Sequence, residues 1–317
     1  MAKILANDGI SPLGVKALES YGYDVSTTNV AQEQLINHIN ENQINVLLVR
    51  SATIVRKDLI DACLSLKIIG RGGVGMDNID VDYAREKGLH VINTPAASSI
   101  SVAELVFAHL YGGVRYLFDA NRNMPLEGDT NFKVLKKNYA AGSELRGKTM
   151  GIIGFGRIGQ ETAKIALGVG MNVIANDPFM DKAALKVALG NDATVDYSIP
   201  MVSFETVLKD ADFISLHVPA QDKPVIGKKE FAKMKKGTGI INAARGGVID
   251  EEALLDALDS GQLSFAGLDT FLNEPKPSMK VLMHPKVSLT PHIGAATKEA
   301  QDRIGTELAQ QIHAILG

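Results

Sequence analysis

The chain of 317 residues contains no tryptophan and only one cysteine, Cys63. A single thiol excludes an intramolecular disulfide and any cysteine-rich metal cluster, and no bound metal is expected. Cys63 lies in "DLIDACLSLKII", a setting that suits a small buried hydrophobe better than a reactive thiol. Long apolar runs are missing as well. No stretch approaches the roughly 18 residues a membrane helix needs, and "MAKILANDGI" meets Asn7-Asp8 too early for a signal peptide. Neither sign of charge is in excess: a net charge of -3 gives no global attraction to nucleic acid or to an anionic membrane. A cytoplasmic protein is expected, in which any anionic ligand must be held by a few local arginines.

Hydrophobic residues make up 45% and charged residues 22% of the chain, an ordinary globular balance, and the length is sufficient for two domains. Short apolar runs alternate with helical patterns throughout. Before residue 99, "KILAND", "NVLLVRS", "LKIIGRGG" and "HVINTP" read as strands. Between them "SPLGVKALESYG" and "RKDLIDACLS" repeat apolar residues at intervals of three and four. A second series begins near 148 with "KTMGIIGFG", "NVIANDP", "DFISLHVP", "GTGIINAAR", "LSFAGLDT" and "KVSLTPH". Such alternation predicts parallel sheets covered by helices on both faces. Separating the two series, residues 99–119, "SISVAELVFAHLYGGVRYLFD", read as one long buried helix, followed by the irregular "ANRNMPLEGDTNF". The chain closes on an amphipathic helix capped by Thr297, with Glu299 close behind.

"KTMGIIGFGRIGQETAKIALGVG" carries Gly154, Gly156 and Gly159 at G-x-G-x-x-G spacing. Glycines at this spacing are weak evidence alone, but here an apolar strand precedes them and an amphipathic helix follows. Gly154 then permits the tight turn, Gly156 admits a pyrophosphate to the backbone, and Gly159 lets helix pack on strand. The diphosphate rests on the helix N-terminus, at Arg157 and Ile158. The next strand ends in Asp177, where a carboxylate accepts from an adenosine ribose and repels a 2′-phosphate, so the expected cofactor is NAD. As a plain turn residue, Asp177 would have no such role. The fingerprint lies at residue 154, so everything before 99 is expected to form a separate domain, with a cleft between the two.

Ligands of open α/β sheets bind at the carboxyl ends of strands. "GIINAARGGVID" brings Arg245 to such an end, "FAGLDTFLNEP" brings Asp269 and then Glu274, and "VSLTPHIGAA" brings His292. An arginine binds an acid and polarises its carbonyl, and a histidine exchanges a proton. A carboxylate beside the imidazole fixes its tautomer and favours its cation. Singly, each of these residues is as well explained by a surface ion pair, a loop solvator or a packed turn. Their joint placement after three strands of one nucleotide-binding domain favours chemistry. Of the other histidines, His38, His90, His109, His284 and His313 sit on helices, strand starts or a turn, and only His217, with Val218 and Pro219, is placed to touch a cofactor.

These motifs, together with "GFGRIG", "NAARGGVIDEEAL", "GLDTFLNEP" and "TPHIGAATKEAQDR", resemble those of the D-isomer-specific 2-hydroxyacid dehydrogenases. "VRSATIVRKDLI" and "IGRGGVGMDNIDV" resemble the substrate-domain motifs of the phosphoglycerate branch, although Val74 stands where that branch often has threonine and "NTPAASS" lacks its "GNS". The resemblance implies an α/β protein of two doubly wound domains. One is a flavodoxin-like substrate domain, 1–98 completed by 292–317, and the other a Rossmann NAD domain, 99–291. It implies that Arg245 binds the substrate carboxylate and carbonyl oxygen, that His292 exchanges the proton, and that Glu274 orients His292. Asp269 is implied near the nicotinamide, with Val74, Ala243, Ala244, Gly294 and Ala295 lining the cofactor. A homodimer through the NAD domain is also implied.

Arg50 ends "NVLLVR" and Arg71 ends "LKIIGR", and paired guanidiniums at adjacent strand ends suit a phosphate. Gly73, Val74 and Gly75 offer backbone amides to a carboxylate, and Asn78 a polar contact. If instead both arginines pair with loop acids, they are structural. The expected substrate is 3-phosphoglycerate, with glyoxylate, hydroxypyruvate or another 2-keto acid as the alternative, and an NAD-sensing binding protein as the reading from another class. The chain stops directly after the last helix, so no C-terminal effector module and no feedback by serine are expected.

Overall fold

The computed structural model describes residues 1–190 and 192–317. Two compact units emerge: Met1–Ser101 with Ala295–Gly317, and Val102–Gly294.

The first unit holds five parallel strands: β1 (Lys3–Ala6), β2 (Asp24–Ser26), β3 (Val46–Val49), β4 (Ile68–Arg71) and β5 (His90–Asn93). Their order is β2-β1-β3-β4-β5, the flavodoxin-like winding, which reverses direction between β1 and β3. Every residue of the central β3 is buried, whereas the edge strand β2 is not. The connecting helices are α1 (Pro12–Ser20), α2 (Leu35–Asn42), α3 (Lys57–Ala62) and α4 (Val81–Glu86). Cys63 follows α3 inside the core, and burial pushes its thiol up to about 11. It is therefore inert, as its sequence surroundings indicate.

The second unit starts within the helix α5 (Ser99–Val114), at Val102, followed by α6 (Leu117–Glu127) and α7 (Phe132–Asn138). The expected helix over 99–119 is thus interrupted at Tyr116, which takes a left-handed conformation (φ 55°). The stretch after it, read as irregular, is mostly helical. Pro125 sits in the last turn of α6, and Tyr139 ties that helix down by donating to Asp119 Oδ2 (2.8 Å) while accepting from Asn123 (2.9 Å). These are tertiary contacts that periodicity does not encode.

Six parallel strands follow: β6 (Thr149–Ile153), β7 (Asn172–Asn176), β10 (Phe213–Leu216), β11 (Thr238–Asn242), β12 (Leu263–Leu268) and β13 (Val287–Leu289), ordered β13-β12-β11-β10-β6-β7. Their helices are α8 (Arg157–Gly168), α9 (Phe204–Asp210), α10 (Lys228–Phe231), α11 (Glu251–Asp259) and α12 (Met279–Leu282). All six strands match apolar runs of the sequence. The sequence pattern assigned no element to 182–200, where an antiparallel hairpin of β8 (Lys182–Leu189) and β9 (Ala193–Pro200) lies beside β7. "KAALKVAL" has the composition of a helix. Its Leu185 and Val187 join Ala163 and Ala166 of α8 in one buried cluster, so alternate burial decides for strand.

The last helix, α13 (Lys298–Leu316), is capped by the Thr297 side chain, which accepts from Ala300 N (3.1 Å). It crosses α1 in the first unit with almost no separation. A Cβ on Gly14 would lie 2.7 Å from Gly305 Cα, so the crossing requires a residue without a side chain on each helix.

Candidate active site

The loop after β6 has the form a dinucleotide requires. Gly154 is left-handed (φ 88°), and a Cβ there would stand 2.6 Å from the His217 carbonyl oxygen. A Cβ on Gly159 would strike the carbonyl of Gly154, whereas one on Gly156 would meet nothing within 4 Å. The backbone is therefore crowded from within and open outward at Gly156, which caps the exposed start of α8 at Arg157. This fits a pyrophosphate at a helix N-terminus. Asp177, one residue beyond β7, accepts from Phe155 N (2.8 Å) and Phe179 N (2.9 Å). It therefore braces the loop as a turn residue while keeping lone pairs for a ribose diol.

His217, expected as a cofactor contact, needs correction. Its backbone reaches the surface together with Val218 and Pro219, but its ring turns inward. Nε2 lies 2.9 Å from Ser215 Oγ and 3.2 Å from Thr162 Oγ1, and Nδ1 is sealed from solvent without a hydrogen-bond partner. Burial drives its pKa down to about 3, so it is neutral and supports α8 from beneath.

The three candidate catalytic side chains all belong to the second unit, and a continuous set of contacts joins their loops. At the end of β11, buried Asn242 accepts from Ala244 N (3.0 Å) and donates to Arg245 O (2.8 Å), folding the 243–245 turn around half-buried Arg245. Ala243 and Ala244 are themselves nearly covered. Arg245 Nη1 donates to Ala244 O (2.7 Å). The next residue, Gly246, has no room for a Cβ because the Phe271 carbonyl fills that space. Phe271 N donates to Glu274 Oε1 (2.9 Å), and Glu274 Oε2 lies 2.7 Å from His292 Nδ1. The carboxylate is thus held from one side and holds the imidazole from the other. His292 itself is left-handed (φ 53°) with its side chain 43% exposed. The ring is therefore exposed rather than packed into the core. Asn242 escaped the sequence reading because a buried asparagine at a strand end looks like any turn residue.

Asp269 also differs from expectation. It is 1% exposed, and its carboxylate accepts from Thr290 Oγ1 (2.6 Å), Ile293 N (2.8 Å) and Gly294 N (2.9 Å). It is a clamp on the loop that carries His292, and Gly294 uses its N–H there rather than toward a cofactor.

In the first unit, Arg50 follows β3 and Arg71 ends β4, one on each of two adjacent strands. Arg50 N donates to Asp8 Oδ2 (2.6 Å), which follows β1 across the winding reversal. Asn78 donates to Arg50 O (2.8 Å) and Thr53 O (2.6 Å), so it shapes the arginine's loop. Gly73 is a correction: it is buried and its N–H donates to Arg71 O (2.9 Å), so only Val74 and Gly75 remain as candidate amides. The Arg71 guanidinium folds over Gly73. Ala295 opens the segment that returns to this unit.

Among the described residues no group of histidine, cysteine, aspartate or glutamate is arranged to hold a metal, and no helix is long and apolar enough to cross a membrane. Residues 107–294 match the family model for the D-isomer specific 2-hydroxyacid dehydrogenase NAD binding domain. The chain is 45% identical over 299 residues to a hydroxypyruvate reductase of Thermotoga maritima, covering 93% of this chain and 91% of that one. It is 42% identical over 318 residues to a D-3-phosphoglycerate dehydrogenase of Methanocaldococcus jannaschii, covering 100% of this chain but 58% of that one. A solved glyoxylate reductase of Paecilomyes thermophila superposes with a TM-score of 0.80 at 29% identity, covering 99% of this chain and 94% of that one. The open glycine loop, the acid after β7 and the contacting loops that carry the arginine, glutamate and histidine therefore belong to a member of the NAD-dependent D-isomer-specific 2-hydroxyacid dehydrogenase family.

Proposed function

We propose that this dehydrogenase interconverts 3-phosphoglycerate and 3-phosphohydroxypyruvate, the oxidation that opens serine biosynthesis. The observation that carries the reading is Arg50, placed after β3 at the winding reversal of the first unit, with Arg71 at the end of the adjacent β4. Two guanidiniums suit a phosphate dianion, which each can grip with paired charge-assisted bonds. Val74 and Gly75 offer amides to the carboxylate. A relative named D-3-phosphoglycerate dehydrogenase matches over the whole chain. The similarity to a hydroxypyruvate reductase favours a second reading, in which the acid lacks the phosphate.

Under either reading the second unit does the same work. Bound NAD supplies the acceptor for the hydride that leaves C2 of the hydroxy acid. Gly154, Gly156, Arg157, Ile158 and Gly159 hold its diphosphate and Asp177 its ribose diol. His292 Nδ1 is committed to Glu274, so the hydroxyl proton moves to Nε2 during oxidation and returns from it during reduction. Arg245 binds the carboxylate and stabilises charge on the C2 oxygen. The Glu274–His292 pair argues against a purely NAD-sensing protein, which has no use for an exposed imidazole held in place by a carboxylate. We also assign the protein to the cytoplasm, as a homodimer through its NAD domain. The apolar side chains left exposed on α6 and α7, Leu117, Leu126, Phe132 and Val134, are the proposed contact.

A steady-state panel of 3-phosphohydroxypyruvate, hydroxypyruvate and glyoxylate, each with NADH and NADPH, tests the assignment. The phosphorylated acid with NADH is expected to give the highest kcat/KM. Arg50→Ala is expected to weaken that substrate by roughly 1.5–3 kcal/mol, the range for hydrogen bonds to charged groups. An unchanged KM in this variant removes the phosphate assignment, and a preference for hydroxypyruvate selects the second reading.

A further inference from the structure

A second histidine lies behind the first. His109, on α5, is 3% exposed and faces Gly267 of β12, where an added Cβ would come within 2.7 Å of the His109 Cβ. Its Nδ1 is 2.8 Å from Ser288 Oγ and its Nε2 is 2.9 Å from Thr290 Oγ1. Counting protons settles the directions. Thr290 has one hydroxyl proton, and it goes to Asp269 Oδ1 (2.6 Å), a carboxylate that can only accept. Thr290 must then accept from His109, which fixes the Nε2–H tautomer and leaves Nδ1 to accept from Ser288. Asp269 in turn accepts from Ile293 N and Gly294 N, the two amides directly after left-handed His292. One directed chain thus runs from Ser288 through His109, Thr290 and Asp269 to the backbone that aims the exposed imidazole.

We propose that His109 is a positioning residue for His292, acting through Thr290 and Asp269 to hold the 292–294 backbone in the orientation that proton exchange requires. Desolvation lowers its proton affinity, opposed by the Asp269 charge, so it keeps the neutral form the chain needs. A leucine would fill the same space without directing anything, and glutamine can replace both the donor and the acceptor. This inference rests on the dehydrogenase reading given above.

Wild-type enzyme with NADH and the keto-acid panel sets the reference, and failure there concerns the assigned reaction alone. His109→Leu is expected to lower kcat by about 10- to 100-fold, the scale for a small misplacement of a reacting group. NADH affinity should stay within about twofold, since the cofactor loop lies elsewhere, and His109→Gln should recover much of the loss. If the leucine variant does not fold, Thr290→Val cuts the same chain at its middle link and carries the same expected loss of kcat. Nitrogen NMR of labelled wild-type protein near pH 7 reads the tautomer without any turnover, and Nε2–H is expected for His109. A doubly protonated ring or an Nδ1–H ring overturns the proposal. So does full turnover in the leucine or valine variant, or a glutamine variant no better than leucine with NADH affinity lost alongside kcat.

Discussion

His292 combines features that packing alone does not call for: a left-handed backbone, an exposed ring, and one ring nitrogen committed to a carboxylate. A non-glycine residue in that conformation costs of order 1–3 kcal/mol, a strain that persists where surrounding structure enforces it and that concentrates at functional sites. Here Asp269 and the His292 N to Thr290 O bond (3.1 Å) enforce it. His292→Ala is accordingly expected to reduce kcat by roughly a hundredfold or more, the scale of general acid–base catalysis. NADH binding, followed by fluorescence titration, should survive. Near-normal turnover would take His292 out of the mechanism.

At the scale of elements, the β6–loop–α8 unit depends on backbone approach more than on side chains. Gly154 meets two conditions, a positive φ and a carbonyl 2.6 Å from where its Cβ would be. Gly154→Ala is therefore expected to cost at least roughly 1–2 kcal/mol from the left-handed conformation alone, seen as a lower denaturant midpoint, and to weaken NADH. An unaltered midpoint together with unaltered NADH affinity would mean that the loop is not built as described. The β8–β9 hairpin shows the opposite dependence. Its strands exist because Leu185 and Val187 find a buried surface with α8, and nothing local in "KAALKVAL" demands them.

For the whole molecule, two buried imidazoles make stability depend on pH. His217 titrates near 3 when folded and near 6.5 when unfolded. The unfolded chain therefore gains a proton that the folded one refuses, and stability is lost as pH falls below about 6.5. Between pH 7 and 5 this one ring accounts for roughly 2 kcal/mol, and His109 acts in the same direction. The urea midpoint should drop over that interval in the wild type and drop less in His217→Asn. Equal slopes would contradict the burial described. The second expectation at this scale concerns assembly. Leu126, 80% exposed, is a large apolar side chain that water disfavours. Leu126→Asp is expected to convert a dimer into a monomer by sedimentation velocity at micromolar protein, and a wild-type monomer would refute the interface.

Ten of the eleven parallel strands and the glycine loop were legible in the sequence because each is a local pattern, an apolar run, a spacing or a periodicity, whereas the three-residue edge strand β2, which has no buried residue, carries no such signal. Arg245, Glu274 and His292 were legible as strand-end residues, since the carboxyl ends of such strands collect ligands whatever the contacts. What the sequence could not determine is which groups spend their hydrogen bonds on one another. Asp269 reads like a cofactor ligand but spends its carboxylate on the loop that carries His292, His109 reads like core but bonds Ser288 and Thr290, and Gly73 reads like an open amide but donates to Arg71 O. Each depends on partners 21 to 181 residues away or on a bend two residues long. Only tertiary packing brings those atoms within 3 Å and removes the water that would otherwise satisfy them.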